Sequence, residues 1–359
     1  MDKSQCKVVV GMSGGVDSSV SALLLKNQGF EVIGLHMKSE NPETREEDEK
    51  RVRELCFQLG IKCEVVDYSQ SMQLVKDYFV QEYLSGRTPN PCVVCNKEVK
   101  FKPFIDFANK LGADYFATGH YARIEHNGNE HLLKKAVDKT KDQSYFLCQL
   151  STAQLEKALF PLGELTKKEV RKIAEENGLV SSSTKDSYDV CFLGSSKFKD
   201  FMNTNYPEKA GDIVDIKTNE TVGKHTGISK YTIGQRKGLG IGGKKGTDNA
   251  GWFVVKKDII NNVLYVTQGD NDALNSKALI SHSMNWLIKE PNTNIIKAKA
   301  KFRYRQEDQD VLIHRLAENS VYVEFDKPQR AVTIGQYAVF YDEDTCIGGG
   351  VIDEVIKEI

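Results

Sequence analysis

The stretch KVVVGMSGGVDSSV, residues 7–20, joins a short apolar strand to a helix through a turn rich in glycine and serine. In an open α/β fold, such a turn lies at the carboxyl edge of a parallel sheet, where ligands bind. Gly14 and Gly15 let the backbone approach an anion closely, and the helix that begins near Asp17 directs free N–H groups toward it. The turn is therefore predicted to bind phosphate, with hydroxyl donors from Ser13, Ser18 and Ser19.

This turn differs from the two best-known phosphate-binding motifs, because it lacks the lysine of G-x-x-x-x-G-K-[ST] and does not read G-x-G-x-x-G. The segment SGGVDS, residues 13–18, instead resembles the pyrophosphate-binding loop of the ATP pyrophosphatase superfamily. That resemblance implies a loop that binds pyrophosphate mainly through backbone amides and hydroxyls. The alternative is a glycine-serine turn that holds no ligand.

Strand and helix signals alternate through the first 200 residues, which predicts an α/β fold with a Rossmann-like parallel sheet covered on both faces. A hairpin is expected over 123–134, around Asn127–Gly128. After about residue 200, helical periodicity fades and short strand candidates follow one another, which predicts a small, mostly β central domain and a C-terminal β-barrel. The expected domains are 1–200, 201–280 and 281–359. The expected strands are 7–10, 31–37, 62–68 and 114–118, and the expected helices 17–28, 45–59, one from 71, 101–111, 151–160 and 167–177.

Composition sets the broad class of the protein. The 359 residues carry a net charge of −1, so only a local basic surface could attract nucleic acid. No stretch is apolar enough to cross a membrane and no signal peptide is recognisable, so the cytoplasm is the expected compartment. Eight cysteines spread along such a chain are expected to be mostly reduced thiols.

The segment SGRTPNPCVVCNKEVKF, residues 85–101, contains a C-x-x-C pair, Cys92 and Cys95, in what we expect to be a loop before a helix. The pair could be a redox couple, half of a zinc site, or a source of one cysteine that works with a distant thiol. Zinc is disfavoured because no second C-x-x-C or histidine pair exists. Cys191 is the candidate distant thiol; it follows the polar run SSSTKDS, residues 181–187, which is typical of a mobile functional loop.

Six segments taken together resemble the bacterial tRNA-specific 2-thiouridylase family over the whole chain. They are GMSGGVDSSV (11–20), GRTPNPCVVCNKEVKF (86–101), ATGHYAR (117–123), KDQSYFL (141–147), DVCFLG (189–194) and FRYRQ (302–306). The resemblance implies an N-terminal pyrophosphate-loop domain, a small central domain and a C-terminal barrel. It also implies ATP-dependent conversion of the C2 carbonyl of the wobble uridine of tRNA to a thiocarbonyl.

The resemblance assigns a persulfide to Cys191 and the second catalytic thiol to Cys95. Adenylation makes the C2 oxygen a leaving group, and the persulfide sulfur replaces it. Cys95 then either forms a disulfide with Cys191 or releases sulfide in the pocket; both routes stay open. Family members carry an aspartate, a proposed general base, where this chain has Cys92, and a thiol of ordinary pKa is a poor base at neutral pH.

The remaining expected site residues also follow from the resemblance. ATP is the expected cofactor and Mg²⁺ its companion, with Asp17 the best candidate acid for magnesium. The partners are tRNA and a protein that donates sulfur. Nucleotide contacts are expected from Gly11, Met12, Ser13, Gly14, Gly15, Val16, Asp17, Ser18, Met37 and Gly119, and tRNA contacts from Asn90, Pro91, Cys92, His120, Lys141, Asp142, Gln143, Arg303, Tyr304 and Gln336.

Two basic segments are candidate phosphate contacts. Residues 224–246 contain six lysines or arginines and no acid, which favours a flexible phosphate-binding loop. Residues 297–305, KAKAKFRYR, place a cation at every second position, so a continuous strand would present all five on one face. Such a one-sided basic stripe on the barrel is expected to follow a phosphate backbone, the alternative being a solvated strand face.

Two other functions remain open from sequence. The pyrophosphate loop would also suit an enzyme that adenylates an amide or an acid, and such an enzyme would need neither Cys95 nor Cys191. A non-enzymatic RNA-binding or redox module that retains an inactive loop is the third hypothesis.

Overall fold

The computed structural model describes residues 3–38, 42–128, 130–182, 190–193, 198–242, 250–269, 272–289 and 292–357. The polar run at 181–187 therefore lies largely outside the described residues, whereas Cys191 lies within them. The N-terminal elements, in chain order, are β1 (Lys7–Gly11), α1 (Val16–Asn27), β2 (Glu31–Met37), α2 (Pro42–Leu59), β3 (Lys62–Val66), α3 (Ser69–Leu84), α4 (Pro91–Val94), a π-helix (Cys95–Phe101), α5 (Lys102–Lys110), β4 (Tyr115–Ala117), β5 (Ala122–Asn127), β6 (Glu130–Lys135), α6 (Thr152–Lys157), β7 (Ala158–Leu159) and α7 (Lys167–Glu176).

The first sheet is parallel, in the order β3-β2-β1-β4-β7, and its strands pair in the register Val9↔Ile33 and Val9↔Phe116. Strand β1 is central and its three valines, Val8, Val9 and Val10, are fully buried between helices. The expected parallel α/β domain is confirmed. Strand order reverses on the two sides of β1, so the turn after β1 lies at the point where open α/β sheets bind ligands.

The segment that carries Cys92 and Cys95 is helical, so the expectation of a loop was wrong. Pro91 occupies the first position of α4, where its missing N–H costs no hydrogen bond. The chain then passes without interruption through the π-helix Cys95–Phe101 into α5. Residues 91–110 contain no glycine, and Pro103 falls in the first turn of α5, directly after the π-helix.

The central region contains a four-stranded sheet in the order β10-β11-β8-β9, in which only the pair β11–β8 is parallel. Its elements are α8 (Phe198–Asn205), β8 (Gly211–Asp215), β9 (Thr221–His225), β10 (Trp252–Asp258) and β11 (Val263–Gln268). Ile213, Val254, Leu264 and Val266 form its buried core.

The C-terminal strands close a six-stranded barrel, because β12 pairs with both β15 and β17. They are β12 (Asn275–Trp286), β13 (Ile295–Lys301), β14 (Gln309–Arg315), β15 (Val321–Arg330), β16 (Tyr337–Asp342) and β17 (Thr345–Ile356). The hairpin β5–β6 of the N-terminal region adds to β17 through the pair Thr345↔Lys134. The expected hairpin and barrel are both confirmed.

The N-terminal domain and the barrel share one hydrophobic core. Tyr145, Leu147 and Cys148 pack in the same buried cluster as Tyr337 and Tyr341 of β16. The Tyr145 hydroxyl also donates to Tyr337 O at 3.0 Å. Among the described residues, no helix has both the length and the apolar character needed to cross a membrane.

Candidate active site

The glycine-serine turn is organised by its own hydroxyls. Ser13 N donates to Ser18 Oγ at 3.2 Å, and Ser18 Oγ donates to Gly15 O at 3.1 Å. Gly14 has φ +81°, a conformation that favours glycine, and Gly15 precedes α1 without a side-chain cap. The first turn of α1 therefore keeps N–H groups for a ligand. Met12 and Val16 pack their side chains in the core, so only their backbone belongs to the turn.

Asp17, at the start of α1, is held by two other side chains. Lys167 Nζ, from the first residue of α7, lies 2.7 and 2.9 Å from the two Asp17 oxygens. The Tyr121 hydroxyl donates to Asp17 Oδ1 at 2.8 Å. The turn has no lysine of its own, and the fold places Lys167 beside it from 150 residues further along the chain.

Gly119 and His120 connect the turn to the cysteine helix. A Cβ on Gly119 would lie 3.0 Å from both Asp17 C and Ser18 N, so the segment after β4 approaches α1 as closely as only glycine allows. The His120 ring lies 5.9 Å from the ring of Phe101, at the end of the π-helix. Its Nδ1 is 2.7 Å from Thr118 Oγ1. Burial, with a smaller effect from the charge of Lys100, lowers the pKa of His120 to about 3, so the ring is neutral at physiological pH.

Cys95 and Cys191 converge although 96 residues separate them along the chain. Cys95 is buried with Val75 of α3 and with Val99, and Phe192, next to Cys191, packs against this cluster. Phe192 also meets Phe79 of α3 edge to face, with ring centroids 5.2 Å apart. Cys92 and Cys191 are exposed, and the charges of Cys92, Cys95 and Cys191 act on one another. Met37, at the end of β2, packs against the same cluster.

The thiols share one cation, Lys100 on the π-helix. Burial raises the pKa of Cys95 to about 11, and the ammonium of Lys100 partly opposes that rise. Burial alone would lower the pKa of Lys100, but Cys95, Cys191 and Cys92 outweigh it, and the net pKa is raised. Lys100 was not predicted as a site residue, because its interaction with Cys95 depends on a π-helix that no local pattern in the sequence predicts.

Cys92 is a poor candidate for a general base. Although Cys92 is exposed at the surface, the protein packed around its thiol partly desolvates it and raises its pKa above the usual value. Lys100 opposes this rise, and Cys191 adds to it. The thiol is therefore protonated at neutral pH, which agrees with the weak base expected at this position.

Asn90 and Pro91 are both buried at the start of the cysteine helix, and the Asn90 side chain lies beside the Tyr145 hydroxyl. Residues 141–143 lie in the turn after the hairpin. Asp142 is buried and accepts from Ala136 N at 3.1 Å, and burial raises the pKa of its carboxyl. Gln143 Oε1 accepts from Tyr121 N at 2.9 Å. The side chains of Asp142 and Gln143 thus stabilise the conformation of this turn through hydrogen bonds.

Arg303 and Gln336 hold parts of the fold together. Arg303 donates to Thr333 Oγ1 at 2.6 Å within the barrel and to Ile233 O at 2.9 Å in the central region. Gln336 Nε2 donates to Thr88 O at 2.8 Å and to Pro89 O at 3.2 Å, immediately before the cysteine helix. Tyr304 stacks on Phe146 with ring centroids 4.3 Å apart. These residues organise the site from the barrel side.

The expected basic stripe over 297–305 does not form as one strand, because β13 ends at Lys301. Gln306 Oε1 accepts from Phe302 N at 2.9 Å and closes a turn at that point. Lys301 is largely buried and lies 3.8 Å from Asp308, and Lys299 pairs with Asp310 at 3.0 Å. The five cations are therefore not a free, continuous face.

Several cations of the second basic segment, residues 224–246, also have partners within the protein. Lys230 is buried and donates to Thr226 O at 2.6 Å, and Lys224 pairs with Asp212 at 2.9 Å. Arg236 lies over the Phe253 ring at 6.0 Å. Residues 243–246 of this segment lie outside the described residues.

The fold and the site define a class: a parallel α/β domain that contains a glycine-serine turn after its central strand and a cluster of three thiols, followed by two β domains. Family models match all three regions. They are described as tRNA methyl transferase HUP domain (residues 6–195), tRNA methyl transferase PRC-barrel domain (199–268) and Aminomethyltransferase beta-barrel domain (276–352).

Two curated proteins, each named tRNA-specific 2-thiouridylase MnmA, are similar over nearly the whole chain. The protein from Alkaliphilus oremlandii (strain OhILAs) is 50% identical over 359 residues, covering 98% of this chain and 98% of its own. The protein from Streptococcus mutans serotype c (strain ATCC 700610 / UA159) is 49% identical over 367 residues, covering 99% and 98%. This chain belongs to the MnmA family of tRNA-specific 2-thiouridylases, as its six motifs predicted.

A solved structure, the U34-tRNA thiolase NcsA from Methanococcus maripaludis with its [4Fe-4S] cluster, has a TM-score of 0.36 and 22% identity. The match covers 57% of this chain and 68% of that chain. Similarity at this level is too low to bear on function.

Proposed function

We propose that this protein is an ATP-dependent tRNA 2-thiouridylase that replaces the C2 oxygen of the anticodon wobble uridine with sulfur. The observation that carries the proposal is the convergence of Cys95 and Cys191: Phe192, next to Cys191, packs on the cluster around Cys95, and Met37 at the end of β2 packs on the same cluster. Membership of the MnmA family supports it, since its members named above are tRNA-specific 2-thiouridylases.

The first half-reaction activates the uridine. The turn at residues 11–18 holds the phosphates of ATP through backbone N–H groups, helped by Ser13 and Ser18. Met37 and Gly119 line the nucleotide. The uridine C2 oxygen attacks the α-phosphorus, pyrophosphate leaves, and the oxygen becomes part of an AMP leaving group. A carbonyl oxygen that would not otherwise depart is thus made displaceable.

The second half-reaction supplies sulfur. The terminal sulfur of a Cys191 persulfide bonds to C2, and AMP departs with the C2–O bond electrons. The Cys95 thiolate then bonds to the Cys191 Sγ and breaks the bond between that atom and the transferred sulfur. The electron pair stays on the transferred sulfur, which becomes the thiocarbonyl. A thiol reductant resets the Cys95–Cys191 disulfide by exchange.

Magnesium enters the assay as MgATP, but the structure does not present Asp17 as a free ligand. Lys167 and Tyr121 already occupy its carboxylate. No cluster of three or more metal-ligating side chains is found within the described ranges. Asp17 would therefore meet a metal only after Lys167 has moved, and no step above uses it in that way.

The partners follow from the chemistry. The persulfide requires a sulfur donor, for which we propose a cysteine desulfurase or a sulfur relay protein. We place the reaction in the cytoplasm, where tRNA and ATP are found. Residues 1–200 form the nucleotide-binding catalytic unit, residues 201–280 the central unit, and residues 281–359 the tRNA-binding barrel. The other expected tRNA contacts are Asn90, Pro91, Cys92, His120, Lys141, Asp142, Gln143, Arg303, Tyr304 and Gln336.

The test is mass spectrometry of nucleosides from unmodified tRNA incubated with the protein, MgATP and a sulfur source. We expect 2-thiouridine at the wobble position, together with one AMP for each thiolation. C191S and C95S are expected to abolish the thionucleoside, and C6S, at a buried cysteine just before the amino end of β1, is the matched control. Thiolation that is undiminished in C95S and C191S would remove the sulfur mechanism.

The same experiment separates the competing activities. AMP formation with an adenylated amide or acid would support another enzyme of the pyrophosphate-loop type. The absence of AMP would favour an RNA-binding or redox module.

A further inference from the structure

Lys100 is brought to Cys95 by an unusual turn of helix. In an α-helix, with 3.6 residues per turn, residues five apart lie about 140° apart around the axis. In a π-helix, the i→i+5 hydrogen bond brings residue i+5 to the turn directly after residue i. Cys95 and Lys100 are the first and sixth residues of the π-helix Cys95–Phe101. The π-helix therefore places the ammonium on the side of the helix that carries the thiol.

Lys100 is a partly buried lysine whose charge interacts with three thiols. In the described part of the chain no carboxylate pairs with it, and the groups that act on its charge are the thiols of Cys95, Cys191 and Cys92. Lys102, two residues further on, is 70% exposed and lies 4.0 Å from Glu98. A partly buried cation without an anion is costly, so the site around Lys100 is suited to an anionic sulfur.

The other described residues packed around the thiols are apolar or neutral. Helix α3 contributes Met72 and Val75 to the cluster, and the 3-10 turn that follows Val190 contributes Phe192. His120, which follows β4, feels the charge of Lys100 but is neutral, because its pKa is about 3. The cation that acts on Cys92 and Cys95 is Lys100.

We propose that Lys100 stabilises anionic sulfur at this site, both the thiolate of Cys95 and the terminal sulfur of a persulfide on Cys191. The inference rests on the proposed function for its role in catalysis. The electrostatic interaction between Lys100 and the thiols does not depend on the proposed function, because it exists in the protein without tRNA. Lys100 acts through the sulfur atoms and is therefore a positioning residue; its charge favours the thiolate of Cys95.

The test compares K100M, which removes the charge at similar length, with K100R, which keeps it, and with K102M as the matched surface control. Iodoacetamide alkylation of Cys95 and Cys191 is followed by peptide mass spectrometry between pH 7 and 10. An opposite charge nearby shifts a pKa by about 1 unit or more, so Cys95 in K100M should be alkylated about tenfold more slowly below its pKa. K100R is expected to restore the rate and K102M to match the wild type.

A reciprocal measurement covers the case in which K100M does not fold. The pKa of Lys100 can be measured by NMR of its ¹³Cε. It is expected to be lower in C95S and in C191S than in the wild type, because burial lowers this pKa and each substitution removes a thiolate that raises it. Equal alkylation profiles for K100M and K102M, or a Lys100 pKa unchanged in both serine variants, would overturn the proposal. Neither measurement needs tRNA. If the wild-type protein forms no 2-thiouridine in the thiolation assay, the proposed function is refuted. The alkylation and NMR results still decide whether Lys100 stabilises anionic sulfur.

Discussion

Gln336 gives the sharpest test of how the barrel supports the site. Its amide nitrogen donates to Thr88 O and Pro89 O, and Thr88 N donates in turn to Ile334 O at 2.9 Å. The substitution Q336A removes both side-chain hydrogen bonds while leaving the backbone bond. At about 1 kcal/mol for each bond, the segment before the cysteine helix loses about 2 kcal/mol of local stability.

Hydrogen–deuterium exchange of the free protein measures this loss directly. Since 1.4 kcal/mol is a factor of ten, the peptide covering residues 85–95 should exchange about 30-fold faster in Q336A. Q306A is the control, because Gln306 is bonded to Phe302 N and to Gln329 within the barrel. Unchanged exchange over 85–95, together with weaker tRNA binding, would refute the positioning role and leave Gln336 as a tRNA contact alone.

Two further predictions concern the junction between the turn and the cysteine helix. In G119A the new Cβ would lie 3.0 Å from the backbone of Asp17 and Ser18, so the turn must shift; we expect weaker ATP binding by calorimetry, at a cost of about 1–3 kcal/mol in stability. Unaltered ATP affinity would contradict the close packing. Since the folded pKa of His120, about 3, lies below that of an unfolded histidine, its contribution to stability is complete above about pH 6.5 and is lost as the pH falls toward 3. NMR of the ring should show no titration between pH 5 and 8, and H120N should make stability less sensitive to acid; a midpoint near 6.5 in the folded protein would be inconsistent with this.

The sequence predicted those parts of the fold that depend on local patterns. The strand β1 was predicted from Val8, Val9 and Val10 and the turn after them, and the hairpin from Asn127–Gly128. The helix at 167–176 was anticipated from the capping box that Thr166 and Glu169 form. The turn and the two thiols were found because each lies in a motif.

The features that could not be predicted from the sequence depend on tertiary contacts. The stripe at 297–305 failed because a turn at Phe302, stabilised by Gln306, ends the strand where alternation of residue types continues. Lys167 meets Asp17 only through the packing of α7 on α1. Lys100 required a helix whose hydrogen bonds skip one residue more than usual, which no composition rule foresees.

The shared core has a consequence for biosynthesis. Tyr337 and Tyr341 are synthesised near the end of the chain, yet they cover Tyr145 and Leu147 of the first half. Until the last two strands leave the ribosome, that apolar face has no cover. We therefore expect the amino-terminal half to be a client of chaperones while translation continues, and nonsense truncations within the barrel to remove the whole protein and not the barrel alone.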